Sequence, residues 1–117
     1  MERQMSAPQG FAVEVGDARD GTVGITVQGE LDMSAAPELS EAIARARAGG
    51  DTLVLDLSAV TFLDSSAIGA LVAAGREVHE KGGRLQIGPR SDVVDRILEI
   101  TGLHGESDAF SVLPKDG

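Results

Sequence analysis

Thr61-Phe-Leu-Asp-Ser-Ser-Ala-Ile-Gly69 lies between two different hydrophobic periodicities, and its reading decides the fold. Before it, Thr52-Leu-Val-Leu-Asp-Leu57 is a short run of leucine and β-branched residues of the kind that forms a fully buried strand. After it, Ile68, Leu71, Val72, Gly75 and Val78 recur at helical spacing, which predicts a helix from near Ser65 or Ser66 to about His79. Ser and Asp oxygens accept from the orphan N–H groups of a first turn, so this turn carries its own helix cap. Phe62 and Leu63 are expected to anchor the approach, leaving Asp64, Ser65 and Ser66 at the rim above a rigid core.

Working outward, residues 1–10 read as a loose N-terminal tail, with no apolar stretch of the kind a signal peptide needs. Phe11-Ala-Val-Glu-Val15 and Thr22-Val-Gly-Ile-Thr-Val-Gln28 alternate as strands, with turn chemistry from Asp17 to Gly21 between them, so they predict a hairpin. Gly29-Glu-Leu-Asp32 ends the second strand, and a connection through Met33 and Ser34 leads to a helix with Pro37 in its first turn. Leu39, Ile43 and Ala46 form the apolar stripe of that helix, Glu38, Glu41, Arg45 and Arg47 are assigned to water, and Gly49-Gly50 stops it. Beyond Lys81-Gly-Gly83, Arg84–Ile87 reads as a brief strand and Gly88-Pro-Arg-Ser91 as a loop whose serine caps the next helix. Val94, Ile97, Leu98 and Thr101 line up on that helix, Gly102 suits its left-handed end, and Ala109–Leu113 adds a short last strand. Residues 114–117 form a C-terminal tail. The order predicts one α/β domain over 11–113, a mixed sheet of about five strands made of the hairpin and parallel inner strands, with three to four helices. Loops at the carboxyl ends of parallel strands display function in such sheets, so Asp32 and Asp64 are expected on one surface.

Composition narrows the functions. Ten Lys and Arg against nineteen Asp and Glu leave a net charge of −9, which repels polyphosphate and anionic membranes. With no Tyr or Trp, the usual stacking residues of nucleic-acid readers are missing, so direct nucleic-acid binding is not expected. The absence of cysteine excludes disulfides, thiol catalysis and cysteine-ligated metal sites. Nothing approaches the ~20 apolar residues of a membrane span. A cytoplasmic protein is the expectation.

Enzyme chemistry lacks its parts. Ser65 lies between Asp64 and Ser66, so neither glycine of a nucleophile elbow is present. His79 falls at a helix end and His104 in a Gly-rich loop, and no phosphate-binding loop accompanies Asp56, which is assigned to a strand end. The acids show no metal-ligand spacing, and no cofactor is predicted. A phosphoaspartate receiver needs an adjacent acidic pair and a lysine ending a strand, whereas Gln28-Gly-Glu-Leu-Asp32 is not such a pair and Lys81 follows a helix. What remains is the serine turn. A phosphate there adds about −1.5 to −2 charges, which a helix N-terminus tolerates but a partner lying against the turn does not. The plainer alternative, Ser65 or Ser66 as a simple N-cap, and Asp32 as a cap or turn residue, stays open on these grounds.

Gly29-Glu-Leu-Asp32, the buried strand, Phe62-Leu-Asp-Ser-Ser-Ala-Ile-Gly69 and Val94-x-x-Ile97-Leu98-x-x-Thr101-Gly102-Leu103 together resemble the STAS domain of bacterial anti-sigma factor antagonists, over about residues 11–113. The resemblance implies a non-enzymatic switch. In that family the unphosphorylated antagonist binds an anti-sigma factor serine kinase and so frees a sigma factor; the kinase uses ATP to phosphorylate a serine in this turn, and a PP2C-type phosphatase resets it, so the same is expected here. By the same resemblance the phosphorylated residue is Ser65, and Glu30, Asp32, Met33, Ser34, Asp64, Ser65, Ser66 and Ile68 face the partner. Ala67 stands where the family has glycine and Ile68 where it has leucine, and the Ala67 methyl is expected to narrow the approach to Ser65. His104-Gly-Glu-Ser replaces a more apolar stretch, which predicts a weak last strand. An alternative with the same fold is a subunit of a lipid or anion transporter, or of a stress-sensing assembly.

Overall fold

The computed structural model describes residues 10–103 and 107–114. Phe11–Arg19 (β1) and Thr22–Leu31 (β2) pair antiparallel around Asp20-Gly21, two residues of left-handed backbone (φ 51° and 82°) that suit a two-residue hairpin. The turn is therefore tighter than Asp17–Gly21. β1 runs through Gly16 and Asp17 by way of a register irregularity between Val15 and Ala18. A one-turn 3₁₀ segment, Met33–Ala35, leads into Ala36–Arg47 (α1). Then come Thr52–Leu63 (β3), Ser65–Glu80 (α2), Arg84–Arg90 (β4), Asp92–Ile100 (α3) and Ser111–Val112 (β5).

The sheet order is β1-β2-β3-β4-β5, with every pair after the hairpin parallel, as expected of the mixed α/β arrangement. Three inner strands run further than their apolar patterns suggest. β2 continues past Gln28 to Leu31, β3 past Leu57 to Leu63, and β4 takes in Gly88-Pro89 instead of leaving them in a loop. Proline fits because the β3–β4 register slips at that point, from Leu55↔Ile87 to Leu57↔Arg90. Asp56 consequently lies inside β3 and not at its end; its carboxylate accepts from the Ser58 N–H (3.0 Å) and hydroxyl (2.6 Å) at the irregularity. β5 is two residues long, shorter than Ala109–Leu113. His104 and both chain ends, residues 1–9 and 115–117, fall outside the described residues.

Val23, Ile25 and Val27 of β2, Leu53, Leu55 and Leu57 of β3, and Leu85 and Ile87 of β4 are buried on one sheet face, following the period-2 alternation of strands. Leu39, Ala42, Ile43 and Ala46 of α1 join them, with Ala67, Ile68, Leu71, Ala74 and Val78 of α2 and Val94 and Leu98 of α3. Burying a Leu, Ile or Val side chain is worth about 1.5–3 kcal/mol, so this aliphatic set replaces the aromatic core that the composition denies. Arg47 does not face water as its helical position suggests. Its guanidinium donates to the Asp51 carboxylate (2.7 Å) and to the Lys81 carbonyl (2.7 Å), tying the ends of α1 and α2 together. Arg90, with a side chain 7% exposed, similarly joins the Asp95 carboxylate (2.7 Å) to the Leu113 carbonyl (2.9 Å).

Gly75 lets the chain cross α2 closely: a Cβ there would lie 2.0 Å from the Ala109 carbonyl oxygen. That contact seats Ala109 and Phe110, both buried, beside the helix. Gly75→Ala is expected to lower unfolding stability by about 2–3 kcal/mol despite alanine's better helix propensity, since overpacking against backbone costs more than propensity returns. Urea unfolding checks this, and faster amide exchange across Ala109–Val112 than across β2 distinguishes local displacement from general weakening.

Candidate functional site

β2 and β3 stay paired to their last residues, Leu31↔Leu63, and both leucines are buried. The Asp64 N–H then donates to the Leu31 carbonyl (3.1 Å), which levels the two strand ends. Each end is followed by an aspartate in extended backbone that starts a helical turn. Asp32 (φ −110°, ψ −168°) accepts from the Ser34 N–H (2.9 Å) and the Ser34 hydroxyl (2.6 Å). Asp64 (φ −104°, ψ 178°) accepts from the Ala67 N–H (2.9 Å). The two acids thus share the carboxyl edge of the sheet, as the parallel arrangement predicts.

Asp64, not Ser65 or Ser66, is the N-cap of α2. The serines occupy the first two helical positions, exposed, and their hydroxyls have no hydrogen-bond partner among the described residues. Capping is therefore already supplied, and the serine side chains are surplus to the fold. For Asp32 the cap role is the one the structure shows. Gly29, just before this edge, has φ +95°, and a Cβ there would lie 1.9 Å from the Gly10 carbonyl oxygen, so backbone demands alone account for it.

The other residues of the anticipated surface divide. Glu30, Met33 and Ser34 are exposed, Met33 at 69%. Ile68 is not available: its side chain packs into the core beneath the turn, because it sits on the inward stripe of α2 with Leu71. Ala67 is fully buried too, so its methyl points away from the approach to Ser65 and cannot narrow it. Phe62 is the residue that sequence reading placed wrongly. It is 48% exposed while Leu63 is buried, because once β3 extends to Leu63 adjacent side chains must point to opposite faces. It pairs in register with Glu30, putting an exposed ring beside an exposed acid. His79 is exposed in the last turn of α2, far along the helix from this edge.

Hydrogen bonding lowers the Asp32 pKa below its ordinary value, first through the Ser34 hydroxyl and then through the Ser34 N–H. Among the described residues no group of three or more His, Asp or Glu is arranged to hold a metal ion, and no helix is long and apolar enough to cross a membrane.

A mixed sheet with levelled strand ends, two aspartate caps and two spare hydroxyls at one edge defines an α/β domain whose display surface is a capped serine turn. The chain belongs to the STAS domain family: the family model described as "Mlab, STAS domain" matches residues 16–114. It is 34% identical over 110 residues to the anti-sigma-F factor antagonist RsfB of Mycobacterium tuberculosis, covering 93% of this chain and 88% of that protein. It is 31% identical over 108 residues to the anti-sigma-B factor antagonist of Listeria monocytogenes, covering 92% of each. Among solved structures it resembles an anti-sigma factor antagonist from Mycobacterium paratuberculosis with a TM-score of 0.70 at 35% identity, covering 94% of this chain and 91% of that one.

Two predictions test the local geometry. Asp64→Ala is expected to cost about 1 kcal/mol of stability, and Asp64→Ser to restore most of it, as measured by chemical denaturation. The Asp32 carboxyl, followed by NMR, is expected to titrate below an ordinary aspartate, and Ser34→Ala to raise its midpoint. Because the folded pKa is the depressed one, the associated stability is present above the unfolded value and is lost as pH falls through the folded value. A midpoint unmoved by Ser34→Ala would refute the assignment of the hydroxyl as the main cause.

Proposed function

We propose that this STAS domain is an anti-sigma factor antagonist switched at Ser65. In the unphosphorylated state the edge formed by Glu30, Asp32, Met33, Ser34, Asp64, Ser65 and Ser66 binds an anti-sigma factor serine kinase, and Phe62 extends that surface. Phosphoryl transfer from ATP to the Ser65 hydroxyl breaks the complex, and a PP2C-type phosphatase restores the free serine. The observation that carries this reading is the exposed Ser65 hydroxyl, unbonded among the described residues, in the first turn of a helix already capped by Asp64.

The physics of the switch follows from that arrangement. A phosphate of about −1.5 to −2 charges at the helix N-terminus meets the positive end of the dipole and the first-turn N–H groups, so the fold tolerates it. Asp64 stays engaged as cap and contributes a second negative charge alongside. A bound partner then faces bulk and added negative charge where it had packed against a hydroxyl. An uncompensated charge buried in an interface costs about 2 kcal/mol or more, roughly a thirtyfold loss of affinity.

Incubation with ATP and candidate serine kinases encoded in the same genome, followed by mass mapping, is expected to place the phosphate on Ser65. Ser65→Asp should keep its helical circular dichroism yet lose the kinase partner, and Ser65→Ala should bind constitutively. Tight binding by Ser65→Asp would sink the charge switch. Phosphate still incorporated into Ser65→Ala would move the site to Ser66 or elsewhere. Co-purification with a membrane ATPase in place of a serine kinase would favour the transporter-subunit role.

A further inference from the structure

Away from the Ser65 edge, the carboxyl halves of α1 and α2 border an open cleft of about 180 Å³. Ile43 and Ala44 of α1 and Ala73 and Val78 of α2 form its walls. At one end the Arg47 guanidinium spans the two helices, donating to the Lys81 carbonyl (2.7 Å) and to the Asp51 carboxylate (2.7 Å). At the mouth stand the Glu77 carboxylate and the Lys81 ammonium, paired at 3.1 Å with both side chains 66% exposed. Glu77 lies twelve residues along α2 from Ser65, about 18 Å at 1.5 Å per residue, so the cleft is separate from the serine turn.

We infer that this cleft is a binding site for a free α-amino acid with a branched aliphatic side chain. Its charges select the head group. Arg47 is neutralised by Asp51 and Lys81 by Glu77, and the carboxyl ends of α1 and α2, which carry partial negative charge, lie at the same end. A simple anion therefore meets no net attraction there, and the chain's net charge of −9 repels it at a distance. A simple cation gains Glu77 but leaves Lys81 facing it. A zwitterion suits both: its ammonium donates to the Glu77 carboxylate and its carboxylate accepts from the Lys81 ammonium, so opposite charges alternate through four groups. The Glu77–Lys81 pair opens readily to admit it, because an exposed i,i+4 ion pair is worth little.

Volume and walls select the side chain. An aliphatic-lined cavity of about 150 Å³ holds a benzene molecule. A cleft of about 180 Å³ therefore takes the side chain of leucine or isoleucine with the head group at the mouth. An indole overfills it, and glycine leaves the apolar walls unused. Contact with Ile43, Ala44, Ala73 and Val78 supplies the apolar part of the affinity, and the two head-group pairs supply the selectivity. Because the cleft is open and the ligand has only about nine non-hydrogen atoms, binding falls in the millimolar range. The proposal holds whether or not the sigma-factor role is correct.

Titration of the isotope-labelled whole chain with L-leucine, followed by NMR, tests it. Amide shifts at Ile43, Ala44, Ala73 and Glu77 are expected to saturate, while those at Asp32 and Ser65 stay still. Leucinamide, which lacks the carboxylate, and isocaproate, which lacks the ammonium, should each bind roughly tenfold more weakly, the loss of one charge-assisted contact. Ala73→Leu fills the cleft from an exposed helical position and is expected to abolish the shifts with its circular dichroism unchanged. Glu77→Gln should weaken the binding of leucine and not that of isocaproate. No saturable shift at the cleft, leucine binding left intact by Ala73→Leu, or equal binding of leucine and its two analogues overturns the proposal.

Discussion

The parallel ladder between β2 and β3 is the constraint on which the rest of this molecule depends. It holds for the full length of β2, accommodates two register irregularities, and closes on Leu31↔Leu63 with the Asp64 N–H bonded to the Leu31 carbonyl. Because both strands end level, the turns that follow them rise from one edge, and their aspartates start helical segments side by side. A slip of one residue in this pairing would turn Leu63 outward and Phe62 inward and would carry the Asp64 N–H away from the Leu31 carbonyl. Core, caps and display edge are thus three consequences of one register.

That edge separates structural duty from available chemistry. The carboxylates of Asp32 and Asp64 are committed to backbone N–H groups, whereas the hydroxyls of Ser65 and Ser66 have no such partner among the described residues. A domain whose cap is acidic can have its adjacent serine modified without losing the cap. The buried side of the same turn, Ala67 and Ile68, belongs to the core, so the rim is mechanically supported from below. Met33, Phe62 and Glu30 give the edge apolar and acidic features together.

Much of this is legible in the sequence. The aliphatic run Thr52–Leu57 and the helical row Ile68, Leu71, Gly75, Val78 located the strand, turn and helix, because hydrophobic period and cap chemistry are local properties. Ser91 caps α3 as its position suggested, accepting from the Val94 N–H while its hydroxyl donates to the Val60 carbonyl (2.7 Å), and Gly102 takes left-handed backbone (φ +76°). Strand ends were less legible. Gly29-Glu-Leu, Val60–Leu63 and Gly88-Pro89 lack a clean alternation, yet neighbouring strands supply partners that extend them. Arg47 was misassigned for a related reason: the Lys81 carbonyl that draws it in belongs to a segment far along the chain.

The amino-acid sequence by itself determined the α/β order, the placement of the serines at a helix start, the acidic charge that disfavours nucleic acid, and the resemblance to the STAS family that the matching relatives bear out. Only the tertiary structure decided which aspartate caps which turn, that Phe62 faces out while Ile68 and Ala67 face in, and that a cleft opens between α1 and α2. The physical reason is that a cap or a period is written within a few residues, whereas the face a side chain presents at a strand end depends on register between segments that meet only after the sheet has formed.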